Sequence, residues 1–274
     1  MLISIRGRAR GVTLLELLVV LMILSIILTA AVKTWDVTLE RGRAETTSRK
    51  LNQLVNVIVG EPDYIVAGHR ADFGFVGDVG RLPNNLEELM VFPGGDSSRW
   101  RGPYLRATFN ESPDGYRIDG WGDTIIYNKD SLFLRSYGGR GYADRTRWQT
   151  VFLPYSLNDL TNNTLDGQIV DVRGASPLNA QPPARRDSIL TGLKVTLYYP
   201  IEGKLTGLEL RLAEAAQFTY TGIPQGTHRL VALYANVYNP PVESTMATAD
   251  VTVYPGLGAH DVTLRLNVDW NSEP

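Results

Sequence analysis

An almost unbroken apolar run over residues 12–32 constrains the fold of this chain more than any other feature of its sequence. As an α-helix the run extends about 30 Å, which matches the hydrocarbon core of a bilayer. Arg6, Arg8 and Arg10 precede it without any acidic residue. A basic flank predicts that this end stays in the cytoplasm, so we expect one membrane-spanning helix and an exported remainder. A secretory signal peptide cleaved near Ala30 is the alternative, and the length of the run argues against it.

Glu16 stands out within the run, because a carboxylate in lipid is costly and usually functional. Gly11 ends the basic segment and begins the stretch GVTLLELLVV at residues 11–20. This stretch resembles the prepilin signature of type IV pilins and of the pseudopilins of type II secretion, with Val12 where the family usually has phenylalanine. A plain signal-anchor helix with an incidental glutamate is the alternative interpretation.

The resemblance implies how the N-terminus is processed. A prepilin peptidase is expected to cut after Gly11, so that residues 1–11 are a leader, and the new amino group of Val12 is expected to be methylated. Glu16 then becomes the fifth residue of the mature chain. In the family this glutamate pairs with the amino group of an adjacent subunit inside an apolar helix bundle, and that pairing sets the register of assembly.

Residues 33–59 continue the helical pattern beyond the membrane segment. An apolar stripe with helical spacing lies near the end of this stretch, at Leu51, Leu54, Val55 and Ile58. Gly60 and Pro62 predict the end of the helix. We therefore expect one helix over residues 12–60, whose first half lies in lipid or in a filament core and whose second half packs on a domain.

The segment over residues 61–155 contains short motifs separated by turns. A short helix near residues 86–89, capped by Asn84 or Asn85, comes first. Then follow Gly102-Pro103-Tyr104-Leu105, Gly120-Trp121-Gly122-Asp123, a strand at 124–127, and a strand that ends in Ser136-Tyr137-Gly138. This order resembles the G-type pseudopilins, whose turn reads Asp-Pro-Trp-Gly, with Gly120 in place of the proline. The resemblance implies an α+β pilin-like fold, in which the long N-terminal transmembrane helix packs on a small antiparallel sheet.

A calcium site is a further implication of the resemblance, because in that family the loop after Ser-Tyr-Gly binds calcium through aspartates and backbone carbonyls. Ser136 and Asp144 are the ligands that carry over to this chain. Asp144 is the one acidic residue of the loop over 139–147, and three arginines surround it, so charge argues against calcium. No other cofactor is predicted, because the chain has no cysteine and its three histidines are far apart.

The second half of the chain has a different pattern. Residues 156–190 are predicted to be a linker that includes the first strand of another domain, which continues over residues 191–269. Period-two alternation predicts seven strands, at 168–172, 193–198, 208–212, 217–220, 229–234, 249–253 and 262–266. This number of short strands indicates an all-β sandwich. Residues 218–230 resemble the carboxypeptidase-regulatory or transthyretin-like modules, which are accessory rather than catalytic.

Composition narrows the class of function. The 27 basic and 29 acidic residues give no basic excess for nucleic acid, and no enzyme motif is present. The resemblance implies a pseudopilin-like filament subunit in the bacterial inner membrane, with its C-terminal domains in the periplasm or on an extracytoplasmic filament. The expected partners are other pilin or pseudopilin subunits, the prepilin peptidase and the inner-membrane assembly platform. A minor pilin of a type IV pilus and a single-pass anchored protein that binds a glycan or a protein are the alternatives.

Overall fold

The long N-terminal helix, α1, is the largest element of the fold. The computed structural model describes residues 13–92, 94, 98–105, 114–212, 216–235 and 245–271. Helix α1 comprises the 46 residues of Leu14–Val59, so it is about 70 Å long. It ends at Gly60, where φ is 85° and a Cβ atom would lie 2.4 Å from the main-chain oxygen of Asp72. The predicted single helix is confirmed, while Gly11 and Val12 lie outside the described residues.

The second half of α1 buries one face against the globular part of the protein. The buried residues of the helix are Thr47, Leu51, Leu54, Val55, Ile58 and Val59. They share an apolar core with the short helix α2 (Gly74–Val79) and with side chains such as Leu134. The apolar stripe predicted near the end of the helix is therefore its packing face.

Short elements surround this core. A hairpin of β1 (Ile65–Val66) and β2 (His69–Arg70) precedes α2, and a 3-10 helix over Leu86–Leu89, capped by Asn85, follows it. An antiparallel sheet in the order β3-β4-β5 consists of Ile126–Asn128, Phe133–Ser136 and Gln149–Phe152. Further 3-10 helices cover Gly115–Arg117 and Arg145–Arg147. A long helix on small sheets is the fold class that the sequence predicts.

The C-terminal region forms two β-sheets. The strands are β6 (Asn163–Val170), β7 (Leu193–Ile201), β8 (Lys204–Arg211), β9 (Gln217–Ile223), β10 (Gly226–Tyr234), β11 (Thr245–Val253) and β12 (Ala259–Arg265). One sheet has the order β11-β10-β7-β8 and the other the order β12-β6-β9. Paired strands are antiparallel except β6 and β12, which are parallel. All seven predicted strands are present.

Both sheets contribute to one apolar core, as expected of a sandwich. Phe218 and Leu264 come from the three-stranded sheet, and Val195 and Leu230 come from the four-stranded sheet. Trp270, which follows the last strand, is 2% exposed and donates from its indole nitrogen to the main-chain oxygen of Ala175 at 2.9 Å. The core of the sandwich is thus separate from the core beneath α1.

The proline-rich stretch that the composition predicts as linker is more ordered than expected. Helix α4 covers Pro183–Gly192. Pro183 lies in the first turn, where a backbone N–H would have no partner within the helix, so proline is tolerated there. Ile189 and Leu190 of this helix are buried in the sandwich core. A 3-10 helix over Pro177–Asn179 precedes α4. This stretch therefore covers the sandwich and does not act as a spacer.

The sandwich contacts the part of the protein that packs on α1. Helix α3 (Leu157–Thr161) leads into β6, and Leu160 is buried in the core beneath α1. The N–H of Gly203 donates to the main-chain oxygen of Val79 at 2.9 Å, and the rings of Phe73 and Tyr254 lie 6.4 Å apart. These contacts fix where the sandwich lies relative to α1.

Candidate functional site

The first half of α1 has an apolar surface that is exposed to solvent. Every residue from Thr13 to Leu39 is exposed, and most residues up to Val32 are large and apolar. An exposed apolar surface of this size is unfavourable in water, so it needs lipid or other helices around it. Among the described residues, α1 is the one helix long and apolar enough to cross a membrane.

Glu16 lies in the first turn of α1, on this apolar surface. Thr13 caps the helix, and its Oγ1 accepts from the N–H of Glu16 at 3.2 Å. Within the part of the chain that the structure describes, the carboxylate of Glu16 has no hydrogen-bond or ion-pair partner. The cap at Thr13 was not identified from the sequence, although Thr-x-x-Glu before an apolar run is its usual signature.

Glu40 is where α1 first bonds to the globular part. It accepts from Nε1 of Trp121 at 3.2 Å and pairs with Arg147. The hydrogen bond from Trp121, together with Arg147, lowers the pKa of Glu40 below its ordinary value. Glu40 is therefore held as an anion between Arg147 and the turn at residues 120–123, which we call the tryptophan turn.

Over the one to three turns of α1 that follow Glu40, the tryptophan turn and the residues before it lie directly against the helix. The N–H of Gly120 donates to Oγ1 of Thr47 at 2.8 Å, and a Cβ atom at Gly120 would lie 2.5 Å from the main-chain oxygen of Arg43. Lys50 donates from Nζ to the main-chain oxygen of Gly115 at 2.8 Å. Gly120, which departs from the proline of the resembled motif, thus supplies a donor that proline lacks.

Ser136 bonds to a buried carboxylate that the sequence did not single out. Its Oγ donates to Oδ2 of Asp119 at 2.5 Å and accepts from the N–H of Gly138 at 3.0 Å. The other oxygen of Asp119 accepts from the N–H groups of Trp121 and Asp123, both at 2.9 Å. Asp119 therefore organises the tryptophan turn. Its position directly before Gly-Trp-Gly is the feature of the sequence from which this role could have been predicted.

Asp144, the second predicted ligand, caps the 3-10 helix that follows it. Its Oδ1 accepts from the N–H of Thr146 at 3.1 Å and from the hydroxyl of the same residue at 2.5 Å, and these bonds lower the pKa of Asp144. Ser136 and Asp144 thus take part in two different turns. Among the described residues no group of three or more His, Cys, Asp or Glu side chains is placed to hold a metal. Calcium binding by Ser136 and Asp144 therefore stays a prediction.

Aromatic and arginine side chains hold the loop in which the family resemblance implies a calcium site. The rings of Tyr137, Tyr142 and Trp148 lie 5.2–5.8 Å from one another. The guanidinium of Arg145 lies 5.4 Å from the Trp148 ring, and that of Arg135 lies 4.4 Å from it. Cation–π contacts of this kind favour arginine, which explains how a loop with little negative charge is ordered.

Comparison with known proteins agrees with this architecture. The family model described as the prokaryotic N-terminal methylation motif matches residues 6–32. The type II secretion system core protein G of Xanthomonas campestris pv. campestris is 29% identical over 151 residues, which cover 53% of this chain and 92% of that protein. No solved structure gives a significant match.

The methylation motif and the distant similarity over about half of the chain support a type IV pilin-like or pseudopilin-like subunit. Proteins with this motif are typically structural subunits, and the motif implies processing by a prepilin peptidase and assembly with other pilins. The apolar first half of α1 agrees with an inner-membrane anchor. The similarity covers about half of this chain and nearly the whole length of the secretion protein. The other half of this chain therefore has no counterpart in that protein.

Proposed function

We propose that this chain is a pseudopilin, a structural filament subunit of a type II secretion-type machine. It is cleaved after Gly11, methylated on Val12 and assembled from the inner membrane into a periplasmic filament. The observation that carries the proposal is the exposed apolar half of α1, with Glu16 in its first turn and no partner for its carboxylate among the described residues. The similarity to a secretion core protein supports this assignment within the pilin-like class.

Glu16 is the proposed assembly residue. In the membrane or in a filament core its carboxylate is surrounded by apolar side chains, where an unpaired charge is strongly unfavourable. The methylated α-amino group of Val12 on a neighbouring subunit would be a cation able to pair with it. Pairing of these groups would favour one register between adjacent helices.

Processing is the first test. Mass spectrometry of the membrane-extracted protein should give a mature N-terminus at Val12 with one added methyl group. Gly11→Leu should keep the leader and prevent assembly, whereas Gly7→Leu, which alters a leader glycine away from the cleavage point, should leave processing intact. A mature N-terminus at any other residue would refute the proposal, and an uncleaved protein would favour the anchored binding protein.

Assembly is the second test. Glu16→Val should insert and be processed as well as the wild type, yet cross-link poorly into filaments. Thr13→Ala is the matched control, because it removes the helix cap and keeps the carboxylate. If Thr13→Ala lowers assembly as much as Glu16→Val does, Glu16 acts through the helix end rather than through pairing.

The sandwich favours a second candidate within the same class, a minor pilin of a type IV pilus. About half of the chain lies outside the similarity to the secretion protein. A bulky addition is easier to accommodate at a filament tip than along a closely packed shaft. Immunogold labelling of filaments distinguishes the two, since a tip subunit labels at ends and a shaft subunit labels along the length.

A further inference from the structure

The loop that follows β4 contacts α1 at Glu40, next to the exposed half of the helix. We call residues 137–148 the arginine loop. Among the described residues, Glu40 is the first along α1 whose side chain bonds to the globular part, and its partners are Trp121 and Arg147. The residues of α1 before Glu40 are exposed from Thr13 to Leu39. The arginine loop therefore lies at the level where α1 leaves its uncovered half.

The length of helix between this level and the apolar run is short. Glu40 follows Val32, the last residue of the run, by eight residues, which is about 12 Å along the helix. The headgroup layer adds roughly 5–8 Å outside the hydrocarbon core, and the tilt of a helix lowers whatever it carries towards the membrane. Trp35, which is 69% exposed, lies between the two levels, where aromatic side chains anchor helices to the bilayer surface. The arginine loop is thus within reach of lipid headgroups.

The exposed side chains of the loop match such a surface. Arg140 and Arg145 are exposed, and Tyr142 is 63% exposed. Asp144 is the single acidic residue of the loop, and its carboxylate is already used by Thr146. Positive charge next to exposed aromatic rings is the composition that binds anionic lipid headgroups.

We infer that the arginine loop binds the headgroups of anionic phospholipids while the subunit waits in the membrane. This inference rests on the membrane-held state of the proposed function. Arg140 and Arg145 provide the charge, and the ring cluster of Tyr137, Tyr142 and Trp148 gives the loop a fixed shape. The contact sets the tilt of the globular part above the bilayer, and extraction into a filament must break it.

The absence of cysteine from the chain allows a direct test. Ala143→Cys places a single fluorophore on the exposed loop, and Thr263→Cys places one on the sandwich as a control. The full-length protein is reconstituted in nanodiscs of phosphatidylcholine, with and without phosphatidylglycerol, that carry a headgroup nitroxide quencher. We expect quenching at position 143 that rises with phosphatidylglycerol and falls with salt, and no quenching at position 263.

Charge variants test the cause of the contact. Arg140→Gln with Arg145→Gln should reduce the preference for phosphatidylglycerol about five-fold for each arginine removed. Arg211→Gln with Arg265→Gln removes the same charge from exposed positions of the sandwich and should change nothing. Equal quenching in the two lipids, or quenching that salt does not weaken, would overturn the inference. Equal quenching in the two lipids is also the result expected if the loop contacts an acidic neighbouring subunit instead of lipid. Mass spectrometry of the same samples shows whether the leader has been removed. A failure of the proposed function is therefore distinguished from a failure of lipid binding.

Discussion

The side chain of Gln225 reaches from the turn between β9 and β10 to the last residue of α1, where its Nε2 donates to the main-chain oxygen of Val59 at 2.8 Å. The same nitrogen lies 3.1 Å from the main-chain oxygen of Phe73, and Gln225 is fully buried. Arg70 also donates to the oxygen of Val59, at 2.7 Å. The sandwich thus helps to satisfy the carbonyl end of the helix, where partners within the helix are missing.

Replacing Gln225 tests how strongly the sandwich is docked. Gln225→Ala should lower the free energy of unfolding by about 1–2 kcal/mol, because each carbonyl keeps one other donor, Arg70 at Val59 and the N–H of Gly77 at Phe73. Denaturant titration of the detergent-solubilised full chain measures the change. Gln217→Ala, at an exposed position of β9, is the control and should stay within about 0.5 kcal/mol. Equal stability of the two variants would show that this contact contributes nothing.

Periodicity in the sequence was sufficient to predict the long helix and the strands of the sandwich. The stripe from Leu51 to Ile58 and the seven strands follow from apolar spacing, because burial on one face imposes a period of 3.6 or 2 on the chain. The helix end at Gly60 follows from the glycine and the nearby proline. Helix α4 was missed because its buried residues, Ile189 and Leu190, are adjacent and follow a proline-rich stretch. Two adjacent residues give no helical period.

Contacts between residues far apart in sequence were not predictable in the same way. Asp119 joins Ser136 across 17 residues, and Glu40 meets Arg147 across 107. Gln225 is a single polar residue in a turn, and nothing near it in the sequence indicates that it is buried against α1. Partners of this kind depend on how the elements pack, so local patterns carry little information about them. The roles of Gly11, Val12 and Glu16 likewise stay predictions.

Gly120 should be intolerant of a side chain. Gly120→Ala places a Cβ atom 2.5 Å from the main-chain oxygen of Arg43, so the tryptophan turn must move away from α1, and we expect a loss of about 1–3 kcal/mol. Gly42→Ala is the matched control, because no atom lies within 4 Å of its added Cβ, and alanine in a helix should be neutral or stabilising by up to about 1 kcal/mol. Thermal unfolding of both variants measures these changes in stability. A Gly120→Ala protein as stable as the wild type would place the turn further from the helix.

Calcium should have no effect on stability. Ser136 and Asp144 are each bonded within their own turns, so we expect the melting temperature to be the same with added calcium and with EDTA. Asp144→Asn serves as the control, since it removes the charge that a calcium ion would need. Stabilisation by calcium in the wild type that Asp144→Asn abolishes would restore the metal site implied by the family resemblance.

His228 should make the folded state sensitive to acid. It is buried with Nε2 at 2.7 Å from the main-chain oxygen of Pro224, and burial lowers its pKa to about 4. The unfolded chain takes up this proton near pH 6.5 while the folded chain resists it, so stability should fall by about 3 kcal/mol between pH 6.5 and pH 4. Urea titration across this range measures the loss, and His228→Gln should remove it.

His260 provides the contrasting control for that experiment. Its hydrogen bond to Asp166 raises its pKa, so its contribution is present below its ordinary pKa and is lost as pH rises through the raised one. His260→Gln should therefore leave the acid loss in place and make it slightly steeper. If His260→Gln rather than His228→Gln flattens the profile, the buried histidine is not the cause.

The sandwich should fold without the rest of the chain, at a lower stability than in the intact protein. A fragment from Asn163 to Asn271 keeps a complete core that includes Phe218 and Trp270, both 2% exposed or less, so it should unfold cooperatively with β-type circular dichroism. It loses the contacts of Gln225 and exposes apolar surface around Tyr254, which should lower its melting temperature.

The complementary protein, truncated after Tyr155, should still reach the membrane and be processed, because the apolar run and the leader are intact. Its globular part loses Leu160 from the core beneath α1 and the Gln225 contact at Val59, so it should be cleaved by protease faster than the full chain. An unfolded sandwich fragment would mean that the two parts fold as one unit. A truncated protein as resistant as the full chain would mean that docking of the sandwich leaves the helix-bound part unaffected.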